Sequence, residues 1–252
     1  MRRDAPDLAF LTERPFAHRG LHGKDVPENS LAAFSTALEA GQGMECDVRL
    51  SADRRAMVFH DAELRRMTGL EGCLSDYAAD RLRAIRLNGT DQCIPSLADL
   101  LALIDGTAPL LVEIKSPERG SPYPLCRAIA LDLAKYTGPV AIMSFSPLIV
   151  RWFAARAPST VRGLIVTERG RRGPLDCVKH NLALLIARPH FLAYDIRDIP
   201  SPFAAKLLCR GTPVLSWTVR TDDQRRTAET HIDQIIHELP ALGGRGIDAA
   251  NA

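Results

Sequence analysis

The chain has 252 residues, of which 46% are hydrophobic and 25% charged, and its formal net charge at pH 7 is +2. This length and composition are ordinary for a globular protein that buries a sizeable core. The balanced charge argues against a nucleic-acid binder, which usually shows a basic stripe, because the densest basic run, at 169–172, is interpreted as a solvated loop.

Membrane and export signals are weak along the chain. No apolar run approaches the roughly 20 residues of a membrane span, and residues 1–14 lack the apolar stretch of a signal peptide. The cysteines form neither a CxxC pair nor a dense framework, so we expect free thiols and a reducing compartment. They stand at positions 46, 73, 93, 126, 177 and 209. We therefore expect a cytoplasmic protein without stable membrane insertion, and the sequence is silent on its oligomeric state.

The first predicted elements alternate between short strands and a helix. A strand at 16–18 is followed by a helix that Asn29 or Ser30 caps, with apolar residues at helical spacing and Gly41 at its end. A second strand is predicted at 44–50.

The next apolar run, at 57–60, follows after only six residues. A crossover between parallel strands needs about a dozen residues, so this run must return antiparallel as a hairpin. With the turn near Asp53, residue 60 pairs near residue 46, and His60 returns beside Glu45 and Asp47.

Residues 61–109 form a long excursion with helices predicted at 76–87 and 96–104. Further strands are predicted at 110–114, 140–145, 161–167, 191–196, 214–219 and 232–237, with helices at 122–136, 147–157, 175–187, 202–209 and 222–230. Without the hairpin return this makes eight strands, nearly all separated by helices, which predicts an α/β fold: a closed TIM-type (β/α)8 barrel, as one domain over 1–252. An open doubly wound sheet is the alternative, but no glycine-rich fingerprint follows the first strand.

Acidic residues carry the first chemical signal. Glu45 and Asp47 are two apart on a strand and face the same side, where they repel each other unless a divalent cation lies between them. Oxygen ligands suit Mg²⁺ or Ca²⁺. Glu113 and Lys115 repeat the pattern on another strand, as a third ligand and a fixed positive charge. The alternative is a Glu113–Lys115 ion pair on the rim beside solvated acids. Cys46 is turned to the opposite face, as a core residue.

The second signal is His18-Arg19-Gly20, at the end of the first strand. Arginine binds phosphate bidentately, and histidine transfers protons near neutral pH. With His60 as a second imidazole, the site has a base and an acid for P–O cleavage. Glu28 is interpreted as part of a helix entry turn that can also hydrogen-bond in the site. No role is assigned to the other histidines, at 22, 180, 190, 231 and 237.

An ordered set of short motifs runs along the chain: HRG at 18–20, PENS at 27–30, ECDV at 45–48, VFHD at 58–61, RMTG at 66–69, IPSL at 94–97, VEIK at 112–115, SFS at 144–146 and SWTV at 216–219. This set closely resembles the glycerophosphodiester phosphodiesterase family over nearly the whole chain. The resemblance implies a TIM-type barrel with a small insertion after the His60 hairpin, about residues 61–109.

The same resemblance implies the roles of the site residues. The general acid and base would be His18 and His60. The ligands of one divalent cation, Mg²⁺ or Ca²⁺, would be Glu45, Asp47 and Glu113. The phosphate would be held by Arg19 and Lys115, and the alcohol or glycerol part would be lined by Phe145 and Trp217.

Three positions depart from the family pattern. Ser30 replaces the commoner threonine, which is mild because both residues cap helices. Arg220 stands where asparagine is frequent, and His237-Glu238 stands where the family usually has Thr-Asp. The last two are predicted to lie on the substrate side and to bear on substrate identity.

The expected function is metal-dependent hydrolysis of a small glycerophosphodiester to glycerol 3-phosphate and an alcohol. One alternative is a lysophospholipase D acting on lysolipids, for which the insertion offers the apolar residues Leu70, Leu74 and Tyr77. A second alternative is a non-catalytic binder of phosphate esters. The sequence leaves open the head group, the cation, the division of roles between the histidines, and direct water attack against a cyclic-phosphate route.

Overall fold

The computed structural model describes residues 6–118, 120–168 and 173–238. Within these ranges the strands are β1 (Phe16–Ala17), β2 (Gly43–Leu50), β3 (Ala56–Val58), β4 (Leu110–Ile114), β5 (Val140–Ser144), β6 (Val161–Val166), β7 (Phe191–Asp195), β8 (Val214–Val219) and β9 (Gln234–His237). The helices are α1 (Phe10–Glu13), α2 (Leu31–Glu39), α3 (Arg65–Thr68), α4 (Ala79–Leu82), α5 (Leu97–Ile104), α6 (Tyr123–Leu133), α7 (Pro147–Arg156), α8 (Pro174–Ala187), α9 (Pro202–Leu208) and α10 (Asp222–His231).

Eight of the described strands form a closed parallel barrel, in the order β1-β2-β4-β5-β6-β7-β8-β9. The barrel closes because β1 pairs in parallel with both β2 and β9, with Phe16 opposite Gly43 on one side and Ile236 on the other. Helices alternate with most of the strands. The predicted TIM-type barrel is confirmed, and the closure rules out the open sheet.

The hairpin after the second strand is also confirmed. β3 pairs antiparallel with β2, with Val48 opposite Val58 and Leu50 opposite Ala56. Continued by two residues, this register places residue 60 opposite residue 46, as predicted. His60 therefore returns to the end of β2 that carries Asp47.

Side-chain alternation on the strands separates two hydrophobic layers. Met44, Cys46 and Val48 pack outward against the helices, which confirms the prediction for Cys46. The inner layer is a separate cluster that includes Phe16 and Leu111. Glu45 and Asp47 share the inward side of β2, so the barrel directs the acids to its interior, as TIM-barrel sites require.

A four-residue helix that the sequence analysis missed, α1, packs below the barrel. Its residues Phe10 and Leu11 join the inner cluster, and the Gln234 side chain at the start of β9 donates to the Thr12 carbonyl at 2.9 Å. A helix this short shows no hydrophobic period, which is why the pattern did not predict it.

The insertion has its own small core, which includes Met57, Phe59 and Leu74. The predicted helix at 76–87 is wrong: the chain forms a 3-10 turn over Leu74–Asp76 and the short helix α4. Beyond it, buried Ile85 and Leu87 flank an exposed residue, an alternation typical of extended chain. α5 is confirmed, with the predicted Ser96 and Asp99 capping box, and it packs in the outer layer of the barrel.

All six cysteines are described and free, as expected. None of the described helices combines the length and the apolar character that a membrane crossing requires. The basic run at 169–172 and residues 239–240 lie outside the described residues.

Candidate active site

Three carboxylates meet on the inward side of β2 and β4. Glu45 and Asp47 lie on β2, and Glu113 on β4 is paired in register with Asp47. Glu45 and Asp47 are fully buried and Glu113 is 8% exposed. One oxygen from each of the three carboxylates lies within 4.8 Å of the others. The structure thus brings together the acids that were predicted to hold a cation.

One oxygen of this cluster lacks the partner that a buried polar atom normally has. Within the described residues, Glu45 Oε1 is buried without a hydrogen-bond donor. Three converging carboxylates, one with an oxygen that has no donor, fit a hard divalent cation such as Mg²⁺ or Ca²⁺. The alternative with solvated acids is wrong for Glu45 and Asp47, because neither is exposed.

Lys115 follows β4 directly, and its side chain reaches the acidic cluster. Its ammonium is paired with Glu113 and lies 2.7 Å from Asp47 Oδ1, as an ion partner without hydrogen-bond alignment. The Glu113–Lys115 pair of the alternative interpretation therefore exists, but it belongs to the acidic cluster. Burial lowers the pKa of Lys115, yet the charges of Asp47 and Glu113 outweigh it and leave the pKa raised. The ammonium stays charged.

The electrostatics of the cluster are uneven. Burial raises the pKa of Glu45 well above its ordinary value, and the charges of Asp47 and Glu113 raise it further. Burial also opposes ionisation of Asp47, but the charges of Lys115 and Arg19 hold its pKa well below its ordinary value. Burial raises the pKa of Glu113 despite Lys115. Three buried acids thus face two nearby cations, and a divalent ion would make up the missing positive charge.

Arg19 is held among acids at the end of β1. Its backbone N–H donates to Glu45 Oε2 at 3.1 Å, and its Nη1 donates to Glu28 Oε1 at 2.9 Å. Its Nε lies 3.0 Å from Asp47 Oδ2 as an ion pair without hydrogen-bond alignment. These contacts place the guanidinium beside the acidic cluster, and they confirm that Glu28 hydrogen-bonds in the site.

His18 is 7% exposed, next to Arg19. Its Nδ1 lies 2.6 Å from Glu238 Oε1, and its Nε2 lies 3.9 Å from Glu45 Oε2. Burial lowers the pKa of His18, although the hydrogen bond to Glu238 opposes this. A neutral imidazole near pH 7 suits proton transfer.

His60 has a similar setting on the hairpin side. Its Nδ1 lies 2.6 Å from Asp61 Oδ1, and Arg66 bridges Asp61 and Glu28. Burial lowers the pKa of His60, against the opposing charge of Asp47. A continuous chain of contacts therefore links His60, through Arg66 and Glu28, to the guanidinium of Arg19.

The aromatic residues predicted to line the alcohol side are also together. The rings of Phe145 and Trp217 meet edge to face, with centroids 5.4 Å apart at 90°. Trp217 Nε1 donates to the Ala193 carbonyl at 3.0 Å, which fixes the indole. Phe145 is 46% exposed, so it presents an open apolar edge.

Sequence reasoning missed three contacts in the site. Asn29 was considered only as a helix cap, whereas Ser30 caps α2 and Asn29 bonds Asp47. Glu238 was assigned to the substrate side, whereas it contacts His18. His22, which received no role, has a ring nitrogen within 4.8 Å of possible ligand atoms of His18 and Glu238. The available signal for Glu238 was its place at a strand end, where barrel enzymes keep their functional groups.

Comparisons with known proteins agree with this geometry. The model of the Glycerophosphoryl diester phosphodiesterase family matches residues 18–242. A glycerophosphodiester phosphodiesterase of Caldanaerobacter subterraneus is 29% identical over 237 residues, which are 89% of this chain and 93% of that protein. A lysophospholipase D of Rattus norvegicus is 34% identical over 119 residues, which are 42% of this chain but 37% of that protein.

Solved structures share the fold. A phosphodiesterase of Oleispira antarctica, whose structure is in complex with the product sn-glycerol-3-phosphate, matches with a TM-score of 0.80. The match covers 92% of this chain and 95% of that chain at 22% identity. At this identity the likeness concerns the fold.

Proposed function

The chain belongs to the glycerophosphoryl diester phosphodiesterase family, and from that premise we propose that it hydrolyses small glycerophosphodiesters to glycerol 3-phosphate and an alcohol by metal-dependent acid–base catalysis. One observation carries the proposal. Three buried carboxylates converge within 4.8 Å between two histidines, and each histidine has its Nδ1 on a further carboxylate. This arrangement supports cation binding and proton transfer at a single site.

The cation ligands in this proposal are Glu45, Asp47 and Glu113. A bound Mg²⁺ or Ca²⁺ would supply Lewis-acid stabilisation of negative charge on the phosphoryl oxygens. Arg19 and Lys115 are proposed to hold the same oxygens, since both carry fixed charges at the edge of the acidic cluster. A guanidinium binds two phosphate oxygens in one plane, which orients the diester for attack.

His18 and His60 are proposed to move the protons. The Nδ1 atom of each ring is engaged by a carboxylate, so Nε2 is the atom that faces the reaction. One imidazole takes a proton from water, or from the neighbouring glycerol hydroxyl, as the new O–P bond forms. The other enters the step as an imidazolium and donates its Nε2 proton to the alcohol oxygen as the old P–O bond breaks. With the glycerol hydroxyl as nucleophile, water then opens the cyclic phosphate.

Phe145 and Trp217 are proposed to contact the alcohol or glycerol part. Their edge-to-face pair leaves Phe145 half exposed at the end of β5. Such an apolar edge would pack against a small head group.

The structure gives little support to a lysolipid substrate through the insertion. Of the apolar residues that the insertion offered, Leu74 is 1% exposed and Tyr77 packs in the insertion core. Leu70 alone of these three is exposed, at 42%. Two of the three residues are therefore used in folding, which favours water-soluble diesters over lipid chains.

The test compares single variants on glycerophosphocholine with Mg²⁺ or Ca²⁺ present. We expect His18→Ala and His60→Ala each to lower kcat by about 10²–10⁴-fold, the usual contribution of acid–base catalysis. His231→Ala is the matched control, because His231 is exposed at the end of α10. Near-wild-type turnover by both site variants contradicts the assignment. Binding of the diester without turnover by the wild-type protein supports a silent binder, and release of choline from lysophosphatidylcholine alone supports the lysolipid enzyme.

A further inference from the structure

Glu238 and Arg220, two of the residues that depart from the family pattern near the C-terminus, form an ion pair, and Glu238 also contacts His18. We propose that Glu238 is a positioning residue for His18 and that Arg220 fixes the Glu238 carboxylate in place. This inference rests on the proposed function, because it assigns His18 a proton-transfer role. It assigns Glu238 and Arg220, which the sequence analysis placed on the substrate side, to the support of His18.

The contacts form a short, well-defined chain. Glu238 Oε1 lies 2.6 Å from His18 Nδ1. Arg220 holds the same carboxylate with two hydrogen bonds, from Nε to Oε2 at 2.6 Å and from Nη2 to Oε1 at 3.0 Å. Both carboxylate oxygens of Glu238 are therefore occupied, and the side chain cannot turn away from His18 without breaking the arginine bonds.

The backbone holds these three residues at the ends of three adjacent barrel strands. His18 follows β1, Glu238 follows β9 and Arg220 follows β8. The His18 N–H donates to the His237 carbonyl at 2.9 Å, and the Glu238 N–H donates to the Val219 carbonyl at 2.9 Å. The Arg220 N–H donates to Gln224 Oε1 at 2.7 Å. Each member of the chain is anchored by its own main-chain bond.

The same arrangement is present at the second histidine. His60 Nδ1 meets Asp61, and Arg66 donates to Asp61 from the far side. Two independent parts of the chain thus build the same sequence of imidazole, carboxylate and guanidinium. This repetition indicates a shared purpose, since an accidental surface ion pair would have no reason to occur at both histidines.

The chemical consequence concerns the tautomer of His18. An ionised carboxylate only accepts hydrogen bonds, so it requires the proton on Nδ1 and leaves the Nε2 lone pair pointing to the acidic cluster. Nε2 lies 3.9 Å from Glu45 Oε2, on the side of the proposed cation. Glu238 thereby sets both the ring orientation and the nitrogen that faces the substrate.

A metal site made of His18, His22 and Glu238 is the competing interpretation, since their ligand atoms lie close together. It is disfavoured because Arg220 already neutralises Glu238 through two hydrogen bonds. A cation there would compete with the guanidinium and with His18 for the Glu238 carboxylate.

The experiment measures kcat and KM for glycerophosphocholine with the full chain and its cation. We expect Glu238→Gln to lower kcat by about 10- to 100-fold, the usual effect of losing a group that orients a site residue, while KM changes by less than about 2-fold. Glu238→Asp restores part of the loss because it keeps the charge. In a His18→Ala background, Glu238→Gln causes no further loss, since its effect passes through the imidazole.

Glu229→Gln is the matched control, because Glu229 is also paired with an arginine, Arg225, but lies on the exposed face of α10. Nitrogen NMR of His18 gives a readout independent of activity: an Nδ1–H tautomer in the wild-type protein and a shift toward Nε2–H in Glu238→Gln. Thermal unfolding confirms that the variants are folded.

Two outcomes overturn the positioning role alone. They are an unchanged kcat in Glu238→Gln while His18→Ala is inactive, and a change in KM only, which would return both residues to the substrate side. Equal activity of wild type and His18→Ala would instead overturn the proposed function, and the positioning role with it.

Discussion

Asn29 holds Asp47 from two directions. Its Nδ2 donates to Asp47 Oδ2 at 3.0 Å, and its Oδ1 accepts from the Asp47 backbone N–H at 3.2 Å. Asn29 is 2% exposed and adopts a left-handed conformation with φ of 57°, which asparagine tolerates better than most residues. The amide therefore orients the carboxylate that has the lowest pKa of the acidic cluster.

Removing this amide should weaken cation binding. Glycine accepts the left-handed backbone, so Asn29→Gly deletes the side chain without adding strain. We expect cation affinity to fall by about 10- to 100-fold, as for other groups that orient metal ligands. Calorimetric titration with Mg²⁺ or Ca²⁺ measures it. Asn88→Gly is the control, because Asn88 has φ of 48° but is exposed in the insertion. Equal affinities in both variants would contradict the role.

Lys115 should stabilise the acidic cluster when no cation is bound. Its ammonium lies 2.7 Å from Asp47 Oδ1 and is also paired with Glu113. Lys115→Met removes the cation paired with Glu113 and leaves Asp47 with Arg19 alone. Breaking a buried ion pair in this way typically costs about 3 kcal/mol. We expect a lower Tm for the metal-free variant and a larger rise in Tm on adding the cation than in wild type. An equal rise in Tm in both proteins would show that Lys115 does not compensate the negative charge of the acidic cluster.

Gly20 should be intolerant of any side chain. It has φ of 77°, and a Cβ there would lie 2.7 Å from the backbone carbon of Ala33. Gly41 has φ of 67°, but a Cβ there would meet no described atom within 4 Å. Gly41→Ala therefore reports the backbone penalty, about 1 kcal/mol. Gly20→Ala adds a clash, and we expect a total loss of about 3 kcal/mol in unfolding free energy. Equal losses by urea unfolding would contradict the close packing of the turn on α2.

His237 should make the fold less stable in acid. Burial lowers the pKa of His237 to about 4, and its Nε2 lies 3.1 Å from Gln42 Oε1. The unfolded chain protonates this imidazole near pH 6.5, whereas the folded chain does so near pH 4. Because the unfolded chain then binds more protons than the folded chain, the unfolding free energy has its full value above pH 6.5 and decreases as the pH falls toward 4. The loss of unfolding free energy due to His237 is about 3 kcal/mol at most.

Unfolding free energies from pH 4 to pH 7 test this linkage. His237→Gln keeps a partner for Gln42 but cannot titrate, so its curve should be flatter than that of wild type by the stated amount. His231→Gln, at an exposed position, should keep the wild-type curve. Parallel curves for His237→Gln and wild type would show that His237 does not cause the loss of stability in acid.

Much of the fold could be predicted because its signals are local. Strands and helices alternate in the sequence, and the short link before 57–60 left only a hairpin, whose register then placed His60 opposite residue 46. Glu45 and Asp47 could be paired because strand alternation puts them on one face. These inferences need only neighbours within a few residues.

The missed features depend on contacts between distant residues. Glu238 reaches His18 across 220 positions, and only the closure of the barrel brings β9 beside β1. Asn29 was predicted as a cap because capping is local, whereas its bond to Asp47 joins a loop to a strand. The wrong helix at 76–87 arose where apolar residues fit both a helical and an extended pattern.

Diester hydrolysis is proposed to depend on a cation held by the three buried acids Glu45, Asp47 and Glu113. The most direct measurement is glycerol 3-phosphate release from glycerophosphocholine by metal-stripped protein, before and after Mg²⁺ or Ca²⁺ is added. We expect little release without metal, recovery with one of the two cations, and no recovery in Glu45→Gln. Full activity after stripping, or no product with either cation, would contradict this dependence.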